Sequence, residues 1–586
     1  MKLRHKIRLI TPAAPPLQLN SWKEIAAYLN RDARTVQLWE KNEGLPIHRL
    51  VHQSRSSIYA YPKELDSWLQ TRKPGKPVAV EAAAGEAGHI RFARLHAVRW
   101  YLAAVVVLVV LLGAGLWTTA IWRTSAKPPA GKLAVLPFEN LSSSEDLLAD
   151  GMTDGLITDL GRSGQIQVIS RRSVMQFKGQ HVALPQIAAK LHVSLVLEGT
   201  IARSGKEIRV TAQLLDAASD HNLWASSYSR TTDDILGFQD EIAAEIATDV
   251  LQKLTGAAPQ LSFNSRPVDP RARLAYLTGQ HFWNQRDEPG ILKAISYFQQ
   301  AASIDSQYAP AYAGLADSYN LMAVWGKLPA DVAFSRAKQA ALKALSLNPS
   351  SAEAYNSLAF ATYRQDWDFV RADQYFQKAI ALNPNYAVAH QWYGEFLGDM
   401  RRFDQSIAEL RKAMELDPMS AIVGCDLADG YEHADRYPEA ETELKRVLEL
   451  YPDFAPAHSY LVGVYIRQSK FAAAQREAQA YARRTGDETL VQMVDIRRQS
   501  AAGNNDLARR DVSLLLNGKS GPSFSSYQKA QLLLATGQTD AGYAALEDAY
   551  RERSWWLVTM LVDPGFTQVR NQTRFRAVAR RVGLPA

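Results

Sequence analysis

The sequence predicts a multi-domain chain: a small helix-turn-helix unit, a single transmembrane helix, an α/β domain and an all-α solenoid of repeats. Three observations carry that prediction. Pro349, Pro384, Pro418 and Pro452 recur at intervals of 35, 34 and 34 residues. The run from Trp100 to Trp122 contains no charged residue. Charge is also divided unevenly: residues 1–99 hold 17 Lys+Arg against 8 Asp+Glu, and the remainder hold 50 against 52. At 586 residues the chain exceeds what one hydrophobic core can organise.

A charged content of 22% with 47% hydrophobic residues is that of globular protein, which excludes a chain disordered throughout. The single cysteine, Cys425, excludes an internal disulfide framework and any Cys-based zinc site. Excess positive charge confined to the first sixth of the chain points to nucleic acid or anionic lipid as the partner of that segment.

The basic segment carries helix punctuation. Ser21-Trp22-Lys23-Glu24 has capping-box spacing and opens an apolar-periodic stretch with Ile25, Ala26, Tyr28 and Leu29. Asn30 suits a left-handed helix end, and Asp32 suits the N-cap of a second helix over Ala33–Glu43. That helix stops at Gly44-Leu45-Pro46. IHRLVHQSRSSIYAY then reads as two strands around a Ser/Arg-rich tip, and Pro62 begins a third helix. On the phrases WKEIAAYL, RTVQLWEKNEGLP and YAYPKELDSWL, residues 19–72 resemble MerR/excisionase-like winged helix-turn-helix domains. The resemblance implies a recognition helix in the major groove and a wing on the backbone. By position it makes Arg34, Thr35, Gln37 and Lys41 candidate DNA contacts, with Arg31 beside them and Arg55 on the wing. A basic face resting on anionic lipid is the alternative. His48 and His52 share a strand face, but with no third ligand nearby they read as surface residues.

Residues 74–90 read as a flexible linker within a 73–99 connection. At about 1.5 Å per residue, 100–122 is long enough as a helix to cross a hydrocarbon core of about 30 Å. Trp100, Tyr101, Trp117 and Trp122 sit near its ends, where aromatic rings favour the interface. Arg91, Arg94 and Arg99 precede it, and Arg123, Lys127 and Lys132 follow, a modest bias for a cytoplasmic N-terminus. The expected location is a bacterial inner membrane, crossed once, with the C-terminal domains periplasmic.

Beyond the span, KLAVLPFENL reads as a buried strand and loop, followed by a helix near Thr153–Arg162. Strand-like runs at Gln167–Ser170, Leu195–Ile201 and Ile208–Leu215 surround a helix at Leu184–Leu191. Ser204-Gly205 supplies a hairpin turn, and a long helix follows around Ile235–Leu254. Alternating strands and helices imply an α/β domain over 132–255. The phrases AVLPFENLS, LADGMTDGLITDL, VISRRSVMQFKG and LEGTIARSGKEIRVTAQLLDAASDHNLWASSY resemble the TolB-N-terminal-like domains of envelope-associated bacterial proteins.

A proline period near 34 is the tetratricopeptide value. Tyr393-Gly394, Leu397, Ala413 and Pro418 fill one unit in the large, small, large, small, proline order; Leu427-Ala428, Tyr431, Ala440, Leu444 and Pro452 fill the next. The unit ending at Pro384 has Tyr355, Leu358-Ala359, Ala372, Phe376 and Ala379, with one extra residue in its turn at Asp366–Val370. An insertion around Trp325–Asp331 stretches the unit before it. Repeats are expected over 268–486, with degenerate helical pairs and a cap over 487–586. Trp283, Trp325, Trp367 and Trp392 read mainly as packing residues, and the concave groove reads as the site of a protein or peptide partner.

These parts together predict a membrane-integrated transcription regulator, similar in plan to one-component regulators of the ToxR/CadC type. Its expected partners are duplex DNA, a protein or peptide in the repeat groove, the lipid bilayer and, from symmetric operators, a second copy in a homodimer. An envelope scaffold without a gene-regulatory role is the alternative. Asp150, Asp154 and Asp159 lie along one acidic helix with no His, Lys or nucleophile at a spacing that completes a reaction set. TolB-like and repeat segments accompany cyclase domains elsewhere, but nothing in residues 1–99 resembles a cyclase core. The chain is therefore expected to be non-enzymatic, with no catalytic residue, metal or cofactor.

Overall fold

The computed structural model describes residues 19–71 apart from 20 and 52–55, residues 130–256 apart from 143–145 and 232–234, and residues 268–585 apart from 518–523. The chain divides into two units, Met1–Thr118 and Thr119–Ala586. The expected span at 100–122 lies outside the described residues. Among the described residues no helix is long and apolar enough to cross a membrane.

In the first unit, Ser21 accepts the Glu24 amide at 3.2 Å and starts α1 (Trp22–Tyr28). Asn30 takes φ 50°, and Asp32 accepts the Thr35 amide at 2.9 Å to start α2 (Ala33–Glu43). Gly44, at φ 69°, ends it. Each helix end thus has a local side-chain or glycine cause, which is why the sequence placed these ends closely. Strands β1 (His48–Val51) and β2 (Ser56–Tyr59) pair antiparallel, and α3 (Pro62–Thr71) follows. Ile25, Val36, Leu45, Ala60 and Leu65 form the core, and the Trp39 and Trp68 rings lie 5.6 Å apart at its edge.

The second unit begins with a mixed sheet. β3 (Ala130–Val135) runs parallel to both β5 (Ile166–Val168) and β6 (Leu195–Ser204). β6, β7 (Glu207–Asp216) and β8 (His221–Thr231) continue it antiparallel, while the short β4 (Glu139–Asn140) also pairs with β6. Side chains alternate across β3 as strand geometry requires. Leu133 and Val135 face α4 (Asp146–Arg162) and α7 (Ile235–Thr255); Ala134 and Leu136 face α5 (Arg171–Met175) and α6 (Leu184–Leu191).

Two features differ from the sequence expectation. Helix α4 starts seven residues before Thr153, because Gly151 sits inside it instead of breaking it. A Cβ there would come within 2.5 Å of the Gln239 amide nitrogen on α7, so any larger residue would displace that side chain. Strand β8 was not anticipated. HNLWASSYSRT is polar and mostly exposed, so it carries little apolar alternation and is held by its backbone ladder to β7.

Antiparallel helix pairs fill the remainder: α8 (Pro270–Trp283) with α9 (Glu288–Ile304), α10 (Ala309–Val324) with α11 (Ala330–Leu347), α12 (Ala352–Ala361) with α13 (Phe369–Leu382), α14 (Ala387–Asp399) with α15 (Phe403–Leu416), α16 (Ala421–His433) with α17 (Tyr437–Leu450), and α18 (Ala455–Arg467) with α19 (Phe471–Thr485). Less regular pairs follow, α20 (Thr489–Ala501) with α21 (Asn505–Asn517) and α22 (Ser526–Ala535) with α23 (Thr539–Arg551). Two short 3-10 turns, Trp555–Thr559 and Pro564–Phe566, lead to the terminal α24 (Thr573–Val582). The extra residue of the Pro384 unit is absorbed as a π-helical turn at Thr362–Asp366, closed by Trp367 at φ 60°. Phe376 lies buried between Tyr363, Tyr393 and Phe396, at the large-residue position the repeat pattern requires.

Candidate functional site

On α2, Arg34, Gln37 and Lys41 are exposed and fall at i, i+3 and i+7, one stripe of the helix. The apolar face of the same helix, through Val36, is buried, so the stripe is turned outward. Leu38, 49% exposed, belongs to this stripe and was missed, since an isolated leucine in a helix reads as core. Thr35 stands apart: its hydroxyl donates to Asp32 at 2.6 Å, so it serves the helix cap. Arg31 is exposed and donates to the Asn30 carbonyl at 3.0 Å. Arg55 lies outside the described residues. His48 contacts Glu64 at 2.7 Å and stacks on Tyr59, so its ring is engaged within the fold.

In the second unit, α5 and the α4–β5 turn are seated on the turns between repeats. Asn385 accepts the Val168 amide at 3.0 Å and donates to the carbonyls of Gly161 and Ile166 at 2.9 and 3.0 Å. Asp417 accepts the Ser170 and Ser173 hydroxyls, both at 2.6 Å, with Arg172 at 3.5 Å from its other oxygen. Arg172 also donates to Ser420 at 2.7 Å, and Gln176 donates to the Met419 carbonyl at 3.2 Å. Asn385, Asp417 and Ser420 belong to the turns around the repeat prolines, so period analysis explains them locally and says nothing of this contact.

Burial and the nearby Arg172 lower the pKa of Arg286 to about 9. Its guanidinium lies 3.7 Å from the Trp283 ring, which makes Trp283 a contact of this junction. Farther along, the chain's C-terminal part packs at the far ends of the first helices. Trp555 packs with Phe360 and Tyr363, and Arg467 donates to the Val562 carbonyl at 2.7 Å.

The first helices of the repeats carry acids in this setting. Burial raises Asp317, which accepts the Ser357 hydroxyl, to about 7; burial likewise raises Asp426 to about 7 and Asp399 to about 6. These folded-state values lie above the ordinary range near 4, so the folded chain holds protons that the unfolded chain releases. Their stabilising contribution is full below about pH 4 and is lost as pH rises through about 6–7. The thermal midpoint is thus expected to fall between pH 5 and pH 8, and Asp317→Asn should flatten that fall. A midpoint independent of pH in both proteins would contradict this.

On α4, Asp150 receives Lys178 at 2.6 Å, and Arg171 lies 3.8 Å from both Asp150 and Asp154. Among the described residues no group of His, Cys, Asp and Glu side chains is arranged to hold a metal ion.

Comparison with known proteins sharpens these assignments. Residues 130–245 match the family described as HilA/YgeH-like transcriptional regulator, second domain. The TolB-N-terminal-like resemblance expected for the same segment finds no support in this match. Residues 387–418, one helix pair of the solenoid with its closing turn, match the tetratricopeptide repeat family. Among solved structures, pilF of Pseudomonas aeruginosa is 19% identical, covering 39% of this chain and 98% of that one with a TM-score of 0.29. A tetratricopeptide repeat protein from Parabacteroides merdae is 16% identical, covering 44% and 93% with a TM-score of 0.29. The curated relative "Putative adenylate cyclase 3" of Rhizobium meliloti is 32% identical over 190 residues, 32% of this chain and 32% of that protein. The chain therefore matches about a third of that relative's length. This similarity overturns the expectation of a non-enzymatic chain, which rested only on finding no catalytic motif.

Proposed function

We propose that this chain is a membrane-anchored transcription regulator whose first unit binds duplex DNA and whose repeats take a protein or peptide partner. The observation that carries the proposal is the exposed α2 stripe of Arg34, Gln37 and Lys41, in a chain whose residues 130–245 match a regulator domain. Arg34 and Gln37 have the donor geometry to read guanine and adenine edges, and Lys41 suits a phosphate. Leu38 between them suits the methyl group of thymine. In this reading residues 100–122 anchor the chain in a bacterial inner membrane, with the N-terminus cytoplasmic and the second unit outside.

Full-length protein in detergent is expected to bind duplex DNA with an affinity that falls steeply with salt. Arg34→Ala should weaken binding about tenfold, in line with ~1–3 kcal/mol for a base-reading arginine. Binding to anionic vesicles but to no duplex would overturn the DNA reading. A reporter fused after residue 130 should be active only outside the cytoplasm; activity in the cytoplasm would reverse the orientation.

The rhizobial relative supports a second reading, in which the chain takes part in cyclic-nucleotide formation. Its test is formation of cyclic AMP from ATP by the full-length chain. No product above a heat-treated control would remove this reading.

A further inference from the structure

Among the described residues, the wall formed by α12, α14, α16 and α18 gathers Glu395, Asp399, Asp426, Asp429 and Glu432 beside Arg364 and Arg467, with Asp563 and Arg570 approaching from the C-terminal part. Glu395 and Asp429 stand 34 residues apart, the same position in successive repeats, as do Asp399 and His433. Most of these acids are engaged. Asp426 accepts Gln391 at 2.6 Å and Tyr460 at 3.2 Å, Glu432 accepts Arg467 at 3.0 Å, and Glu395 accepts Arg364 at 3.3 Å.

Asp399 and Asp429 are not served in this way. Asp399 is only 4% exposed, and its Oδ2 has no hydrogen-bond partner; the Arg364 guanidinium stands 3.8 Å away. Arg364 cannot swing closer without leaving Tyr363 and Trp555, whose ring centres lie 4.6 and 5.1 Å from it. The Tyr363 hydroxyl, also buried, makes no hydrogen bond. Asp429 lies 3.5 Å from His433 and in the field of Arg467 and Arg364, and burial lowers the pKa of that imidazole toward the neutral form. Water nevertheless reaches the site: the Asp429 side chain is 37% exposed and that of Glu395 is 23%. A buried carboxylate oxygen without a donor is costly, and a ligand cation relieves that cost.

We propose that this wall receives a basic peptide segment, with one arginine or lysine side chain entering between Asp399 and Asp429. The proposal rests on reading the repeats as a partner-binding surface. It names that partner's chemistry through charge complementarity. Acid exceeds base on this wall, and the exposed edge at Asp429 and Glu395 gives a side chain a way in from solvent. The guanidinium supplies donors in a planar fork that can reach both carboxylates.

The test uses the full-length chain in detergent and a fluorescein-labelled octapeptide alternating arginine with glycine, read by anisotropy. Saturable binding is expected, weakened at least tenfold when citrulline replaces arginine. Asp429→Asn and Glu395→Gln should each weaken binding at least tenfold while the thermal midpoint stays within a few degrees. Asp404→Asn, an exposed acid elsewhere on the repeats, should leave binding unchanged. Binding of the arginine peptide that ignores both Asp429→Asn and Glu395→Gln would overturn this site but keep the repeats as a peptide surface. Equal binding of arginine and citrulline peptides would overturn the cation. Failure of every peptide to bind would remove the partner-surface reading itself. Putrescine or magnesium ion binding in an Asp429-dependent way, with no peptide binding, would replace the peptide by a free cation and so overturn the proposal.

Discussion

Asp417→Ala is expected to destabilise the second unit by about 3–5 kcal/mol, the range for removing one partner of a buried charged pair. Asp417 is buried and collects three donors that all come from α5 or its cap: Ser170, Ser173 and Arg172. Alanine leaves the Ser170 and Ser173 hydroxyls without this acceptor and the Arg172 guanidinium with Ser420 alone, and water has little access to replace the carboxylate. The sheet domain would lose its main polar anchor on the repeats while keeping its own two apolar layers. Denaturant unfolding followed by tryptophan fluorescence should therefore show an earlier transition, broadened or split into two. Asp417→Asn keeps an oxygen for the serines and loses the charge facing Arg172, so its cost should fall between alanine and wild type. An unchanged single transition for Asp417→Ala would mean that the interface is held elsewhere.

Phe376→Ala should cost about 3–5 kcal/mol, the usual range for emptying a buried phenylalanine site. The ring is fully buried and lies 5.5 Å from Tyr393 and 5.6 Å from Phe396, so it joins one repeat to the next. These neighbours are aromatic side chains on helices pinned by their own packing, which limits how far the cavity can collapse. Because each repeat contacts mainly its neighbours, the loss should open the solenoid around α13 and α14 before its ends. Hydrogen exchange is the suitable measurement: protection should fall most across 369–399. A loss spread evenly over all helices would argue that the repeats unfold as one block.

Much of this architecture is written in local sequence. The N-caps Ser21 and Asp32, the left-handed Asn30 and the terminator Gly44 each act within a few residues, so α1 and α2 are predictable from neighbours alone. The repeat prolines mark helix ends because proline lacks the amide a helix interior needs. The α2 stripe was also legible, apart from two residues. Thr35 falls among the recognition-helix positions by register yet shares the cap with Asp32, and Leu38 is exposed although a single apolar residue carries no sign of its exposure. Strand β8 was missed for the opposite reason. Its stability comes from pairing with β7, and pairing leaves no period in a polar sequence.

By itself the sequence determined the caps and ends of α1 and α2, the period of the repeats, and the placing of Arg34, Gln37 and Lys41 on one stripe of α2. All of these depend on interactions within one or two helical turns. Only the tertiary structure decided what covers the repeats. Asn385 and Asp417 meet residues more than 200 positions away, and Val562 returns to Arg467 across 95 positions. A serine that caps a helix and a serine that also donates to a distant aspartate look alike in sequence. Their difference arises when two surfaces meet and exclude water, and that is also what leaves Asp399 and Asp429 as acids without a strong donor.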